Sequence, residues 1–173
     1  KAYVEEFSSN DNVEMRVKLN PAYLPPNVTI PQLMQAMGIQ KKENQPLLKI
    51  STQAVEFNCM PEFYSSGDIL VSANMSEAFN IPGLEAHACG LPTIQTNFSG
   101  QLEYTKTEID FFIDYKLIEN TWDKSYEGIF WALPDINHLR KIMRYCCENK
   151  NIIKEQIFKV DDSDGDKRLF INA

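Results

Sequence analysis

Two short strand-like runs, the apolar Asp68-Ile-Leu-Val71 and Pro92-Thr-Ile-Gln-Thr96, bracket a helical segment from Pro82 to Cys89 that closes on Gly90. A strand, a helix and a second strand joined this tightly have one compact solution: the strands lie parallel and the helix crosses one face. The same alternation recurs along the chain. The fold expected is therefore α/β, a Rossmann-like parallel sheet with helices on both faces, with residues 1–173 forming one domain.

Local signals place the other elements. Ala2, Tyr3, Val4 and Phe7 have helical spacing, and Val13 to Leu19 alternates apolar and polar as a strand near a sheet edge would. Residues 21–31 hold four prolines and are expected as a loop. Pro31 to Met37 reads as a short helix with Leu33, Met34 and Met37 inward, and Leu47 to Ile50 as a strand. Met60 to Ser66 is a helix with Pro61 in its first turn. Ile109 to Tyr115 reads as one strand and Gly128 to Ala132 as a short extended piece. Pro134-Asp135 opens an amphipathic helix carrying Ile136, Leu139, Ile142, Met143 and Cys146. A further helix covers Ile152 to Phe158, an acidic tail Asp161 to Asp166, and a last apolar piece Leu169 to Ile171.

Composition narrows the function classes. With 17 Lys+Arg against 24 Asp+Glu the chain carries a net charge of −7, which argues against a general nucleic-acid binder. A hydrophobic fraction of 43% supports a folded core, and no run is long enough to span a bilayer. The opening KAYVEEF lacks the basic start and apolar stretch of a secretory signal, so a cytoplasmic location is expected. None of Cys59, Cys89, Cys146 and Cys147 forms a C-x-x-C pair; all four are expected as buried or half-buried thiols, and no metal site is expected.

The chemistry concentrates in Ser76-Glu-Ala-Phe-Asn-Ile-Pro-Gly-Leu-Glu85, which leaves a buried strand and enters a helix at Pro82. Free amides around Phe79, Asn80 and Ile81, with the positive end of the helix dipole, suit an anion. Pro82 gives up no needed donor there, and Gly83 is expected to leave room for a ligand. Glu77 before the helix and Glu85 in its first turn suit vicinal hydroxyls, because a carboxylate accepts from two at once. Phosphate at the helix start and hydroxyls on the acids describe a nucleotide-sugar.

The stretch Tyr64 to Asn97 resembles the donor-binding signature of the group 1 (family 4) retaining glycosyltransferases of GT-B fold. The match consists of Glu77 and Glu85 with seven residues between, then Ala86, Ala88, Gly90 and Pro92. Tyr64 to Asp68 resembles the family's preceding helix and strand, and Asp135, His138 and Leu139 resemble a later helix. The resemblance spans about residues 1 to 158. It implies the C-terminal, donor-binding half of a two-domain enzyme that moves a sugar from a nucleoside diphosphate with retention at the anomeric carbon. It implies Glu77 at the transferred sugar as the catalytic residue, Glu85 on the ribose, and Phe79, Asn80, Ile81, Pro82 and Gly83 around the sugar and diphosphate. No cofactor or metal is implied; the nucleoside-diphosphate sugar is the substrate. Ala78 stands where the family usually has glycine. Lys1 aligns inside a helix that follows the family's first strand, so the first strand, its diphosphate-clamping basic residues and the N-terminal acceptor domain are expected to be missing. Such a fragment would be inactive alone, with membrane contact only through the absent half.

Other features are read more plainly. The turn Asn97-Phe-Ser-Gly100 could line the site, Gly100 being able to take a positive φ. Glu103 matches a family glutamate, with a contact role left open, and Ser51 to Val55 is where the family places the base. His87 is expected as a packed, hydrogen-bonded histidine and His138 as a surface or helix-packing residue. The D-x-D runs Asp162–Asp164 and Asp164–Asp166 read as a solvated acidic turn, since a calcium loop would need further ligands. Asn27, Asn74 and Asn97 begin N-x-[ST] triplets that read as accidental. The competing class is a non-catalytic nucleotide- or phosphosugar-binding α/β module.

Overall fold

The computed structural model describes residues 1–20, 22, 27–39, 43–105, 108–121 and 124–163, with side chains described as far as residue 156. Leu169 to Ile171, Asp164 to Asp166 and most of the proline-rich loop lie outside the described residues. The chain divides into two compact units, residues 1–56 and 57–173.

In the first unit, helix α1 (Ala2–Glu6), strand β1 (Glu14–Lys18), helix α2 (Ile30–Ala36) and strand β2 (Leu47–Ser51) follow in order. β1 and β2 pair in parallel, with Glu14 opposite Leu47 and Lys18 opposite Ser51. Ala2, Tyr3, Val4 and Phe7 are buried as their spacing requires. The Tyr3 hydroxyl ties α1 to the strands by donating to the Leu47 carbonyl at 2.8 Å. Glu14 pairs with Arg16 and Lys49, and hydrogen bonds from Lys49 and then Arg16 hold its carboxyl below the usual range. α2 starts one residue before Pro31 because Thr29 and Gln32 form a capping box. The helix buries none of its residues and Met37 is 49% exposed, which corrects the expected inward placement of Met37.

The second unit contains helix α3 (Met60–Ser65), strand β3 (Leu70–Ser72), helix α4 (Ile81–Ala88), and strands β4 (Thr93–Thr96) and β5 (Asp110–Ile113). Strands β6 (Tyr115–Glu119) and β7 (Phe130–Pro134), then helices α5 (Ile136–Glu148) and α6 (Lys150–Ser163), complete it. The sheet order is β3-β4-β5, all parallel, with Leu70 opposite Thr93 and Thr93 opposite Asp110. This is the α/β arrangement with parallel strands and flanking helices that the alternation requires. β4 is buried along its whole length, and Ile94, Ile113 and Ala86 are fully enclosed. Tyr64, Ala86 and Leu91 form a core cluster between α3 and α4.

Several expectations change here. The single strand Ile109 to Tyr115 is two strands that part at Asp114, whose carbonyl accepts from the Asp135 amide at 2.7 Å. β6 instead turns into an antiparallel pair with β7, Tyr115 opposite Pro134 and Glu119 opposite Phe130, so the unit is not wholly parallel. Ile136 is 42% exposed, while Leu139, Ile142, Met143 and Cys146 carry the buried stripe of α5. Asp135 caps α5 by accepting from the amides of His138 and Asn137, which holds its carboxyl below the usual range. Two cysteines also differ: Cys59 and Cys147 are exposed, whereas Cys89 is half-buried and Cys146 buried. Asp161, Asp162 and Ser163, the start of the expected acidic turn, are the last residues of α6. Among the described residues no helix is long and apolar enough to cross a membrane.

Candidate functional site

The site is built where β3 hands the chain to α4. β3 ends at Ser72, and Asn74 to Asn80 form the connection. Asn80 is the residue before the helix and holds φ 56°, ψ 61°, a left-handed conformation that asparagine tolerates better than most residues. Its side chain makes no capping bond to the helix. It points inward, donating to Ser72 Oγ at 3.0 Å and to Gln95 Oε1 at 2.8 Å. Asn80 is only 3% exposed, backbone and side chain together, and its side-chain N–H groups are spent on Ser72 and Gln95. Among the described residues no acceptor takes the amides of Phe79, Asn80 or Ile81. Phe79 and Ile81 are exposed, and Pro82 occupies the first turn.

Glu77 and Glu85 are both half-buried, neither sunk in the core nor fully free. Asn74 Nδ2 donates to Glu77 Oε2 at 3.2 Å, and the Glu77 carbonyl accepts from the Ser99 hydroxyl. Glu85 stands one turn into α4 rather than in its first turn, which corrects the expected position. A carboxylate there gains little from the helix dipole, whose effect fades within the first turn. Glu85 Oε2 accepts instead from the Tyr64 hydroxyl at 2.7 Å. Burial, followed by Glu85, pushes the Tyr64 hydroxyl pKa up.

Gly83 and Gly100 are needed for reasons internal to the protein. A Cβ on Gly83 would collide with the Tyr104 hydroxyl and crowd Asn80 and Gln95, and the Gly83 amide already donates to the Asn80 carbonyl at 2.9 Å. The room expected for a ligand at Gly83 is therefore filled by Tyr104. A Cβ on Gly100 would overlap the Ala78 carbonyl oxygen, so the Asn97–Gly100 turn packs directly on the Glu77 connection. The positive φ expected at Gly100 falls on its neighbour Ser99, at 76°. Ala78 is exposed, so its methyl group meets no crowded interior. Glu103 ends a 3-10 turn and is exposed. Ser51 to Val55 belong to the first unit.

Beneath the connection runs a polar chain that the motif does not announce. Gln95 Nε2 donates to Thr93 Oγ1 at 2.5 Å, and Thr93 donates to Asp110 Oδ1 at 2.6 Å. His87 Nε2 meets the same Asp110 oxygen at 2.7 Å, which is the packed, bonded role expected of it. The Tyr104 hydroxyl donates to the Asn80 carbonyl at 2.9 Å, and its ring meets His87 and Phe79 edgewise or tilted. The available signal was the fully buried strand Thr93-Ile-Gln-Thr96, where polar residues occupy core positions and must find partners. His138 is half-buried and meets Asp114, in keeping with a helix-packing role. Among the described residues no group of three His, Cys, Asp or Glu side chains is gathered as metal ligands would be.

The parallel sheet β3-β4-β5, with two half-buried acids flanking an uncapped helix start beyond β3, has the layout of open α/β folds, which bind ligands at the carboxyl ends of their strands. Residues 30–146 match the family described as glycosyl transferases group 1, and the chain belongs to that family. Among curated proteins it is similar to ORF313 of Acidianus filamentous virus 1, whose name assigns it provisionally to the glycosyltransferases. The two are 29% identical over 120 residues, which make up 66% of this chain and 37% of the viral protein. The chain thus spans little more than a third of that relative's length.

Proposed function

We propose that this chain is the donor-binding, C-terminal half of a two-domain GT-B glycosyltransferase of family 4. It holds a nucleoside-diphosphate sugar and works with an acceptor-binding domain. The observation that carries the reading is the pairing of uncapped amides at Phe79, Asn80 and Ile81 with the acids Glu77 and Glu85 on either side of the α4 start. The amides and the helix dipole suit the diphosphate. Glu85, one turn further on, accepts the ribose hydroxyls. Its bond from Tyr64 occupies part of one oxygen and leaves acceptor capacity, since a carboxylate offers about four lone-pair sites.

Glu77 faces the transferred sugar. In the reaction the bond between the anomeric carbon and the diphosphate oxygen breaks, the acceptor oxygen bonds the same face of that carbon, and the acceptor hydroxyl's proton passes to the departing diphosphate oxygen. Glu77 and fixed dipoles along Ala78 to Ile81 stabilise charge that develops as the bond breaks. The donor binds without a metal or other cofactor, and the protein acts in the cytoplasm.

A thermal-shift panel with UDP, GDP and ADP at millimolar concentration, with and without EDTA, tests the reading. One diphosphate should stabilise the chain by about 2.7 kcal/mol at a hundredfold excess over its dissociation constant, and EDTA should leave that shift intact. No stabilisation by any of the three would overturn it.

A further inference from the structure

We propose that the pocket between residues Asn74–Ser76 and the β6–β7 hairpin is a subsite for a sugar ring. It has a volume of about 510 Å³, within the usual size of small-molecule sites, and is lined by Asn74, Met75, Ser76, Tyr126, Ile129 and Trp131. Its two walls differ in chemistry. One presents an amide and a hydroxyl, from Asn74 and Ser76. The other presents the Tyr126 and Trp131 rings, 6.3 Å between centroids and inclined at 59°, with Ile129 beside them.

That division matches a pyranose. A sugar ring has apolar C–H faces and a rim of hydroxyls. The C–H faces carry partial positive charge and rest well against the negative face of an aromatic ring. The rim needs short polar partners of the kind Asn74 and Ser76 supply. Asn74 Nδ2 already donates to Ser72 Oγ and Glu77 Oε2, so the polar wall offers a ligand the Asn74 Oδ1 and the Ser76 hydroxyl, which a purely apolar ligand would cover without bonding; a free phosphate would gain nothing from the aromatic wall.

The pocket is also coupled to the acids. The Ala132 amide of β7 donates to the Met75 carbonyl at 2.8 Å, joining the hairpin to the connection that carries Glu77. Asn74 then reaches Glu77 Oε2 at 3.2 Å. A ring seated in the pocket lies next to Glu77. Tyr126 and Ile129 are 46% and 48% exposed, so this surface is open to a ligand. The hairpin is the one pair of described strands that departs from the parallel pattern, so sheet-building alone does not account for its place. The choice of a sugar as occupant rests in part on the donor reading above; the mixed walls are independent of it.

The ring could belong to the donor or to a saccharide acceptor, and the test separates them. The sequence has two tryptophans, so Trp122→Phe leaves Trp131 as the single emitter. That variant is titrated with UDP and GDP, with UDP-glucose and GDP-mannose, and with methyl glucoside and methyl mannoside. Calorimetry on the unmodified chain, Tyr126→Ala and Ile129→Lys runs alongside, with melting curves to confirm that the variants fold. Sugar-bearing probes should change Trp131 emission saturably while bare diphosphates do not. Tyr126→Ala and Ile129→Lys should raise the dissociation constants of sugar-bearing probes about three- to tenfold and leave those of UDP and GDP unchanged. A response to nucleotide sugars alone assigns the donor ring, and one to the methyl glycosides assigns an acceptor ring. Diphosphate binding with Trp131 indifferent to every sugar overturns the subsite and leaves the donor reading standing. Glycoside binding without diphosphate binding does the reverse. Silence from all six probes, with ADP silent as well, overturns both.

Discussion

The Tyr64 hydroxyl donates to Glu85 Oε2 at 2.7 Å, linking α3 to α4 at the acid that the motif singles out. Tyr64 is 6% exposed and belongs to the core cluster with Ala86 and Leu91, so its ring is fixed before its hydroxyl reaches the carboxylate. Glu85 is thereby held in one orientation. Tyr64→Phe keeps the packing and removes the bond. The expected result is a loss of about 0.5–1.5 kcal/mol in denaturant-measured stability. Diphosphate affinity should weaken about two- to fivefold, equivalent to roughly 0.4–1 kcal/mol. A stability loss at unchanged affinity would show that Tyr64 supports the core without orienting the site.

Gly100 is held to glycine by the Ala78 carbonyl oxygen, which a Cβ would overlap. Gly100→Ala should therefore push the Glu77 connection outward, costing about 1–3 kcal/mol of stability and weakening diphosphate binding. Gly90→Ala is the control. Gly90 has φ +69° with nothing near its Cβ position, so its cost of about 1–2 kcal/mol is conformational and should leave binding unchanged. Denaturant melts and calorimetry on the two variants give the comparison.

Tyr104 provides a pH signature. Burial first, and then the charge of Asp110, pushes its hydroxyl up to about 12 from an ordinary value of 10. A proton held more tightly in the folded state stabilises fully below pH 10, and the contribution is lost as pH rises toward 12. Stability should accordingly fall between pH 10 and pH 12 less steeply in Tyr104→Phe than in the unmodified chain. Parallel slopes in urea melts across that range would contradict the placement of Tyr104 under the connection.

The cysteines test the face of α5. Cys146 is buried, and burial, with a smaller contribution from Cys147, pushes its thiol up to about 12. Cys59 and Cys147 are exposed. Iodoacetamide at pH 8 should modify Cys59 and Cys147 first, Cys89 later and Cys146 last, read by peptide mass spectrometry. Equal rates at the adjacent Cys146 and Cys147 would mean that α5 does not present the stripe described.

What was legible in the chain was local. Pro82 and Gly90 delimit α4 to within a residue or two, and Asp135 marks the start of α5, because caps and prolines act over a few residues. What was not legible depended on distant partners. Ile109 to Tyr115 reads as one strand because its own residues suit one; the break at Asp114 is made by Asp135 and His138, more than twenty residues on. Glycine preference pointed to a positive φ at Gly100. Contact with Ala78 uses that glycine for its missing side chain, and the left-handed φ moved to Ser99, whose hydroxyl bonds Glu77. Glu77 and Glu85 could be picked from the motif, whereas Asn74 and Tyr64 as their partners required the fold.

Direct titration of the chain with UDP, GDP and ADP, repeated on Glu85→Ala, is the closest test of the donor site. The account predicts saturable binding of at least one diphosphate and a loss of about tenfold or more in the variant, roughly 1.4 kcal/mol. Binding of the same strength in both proteins, or none to either, would contradict it.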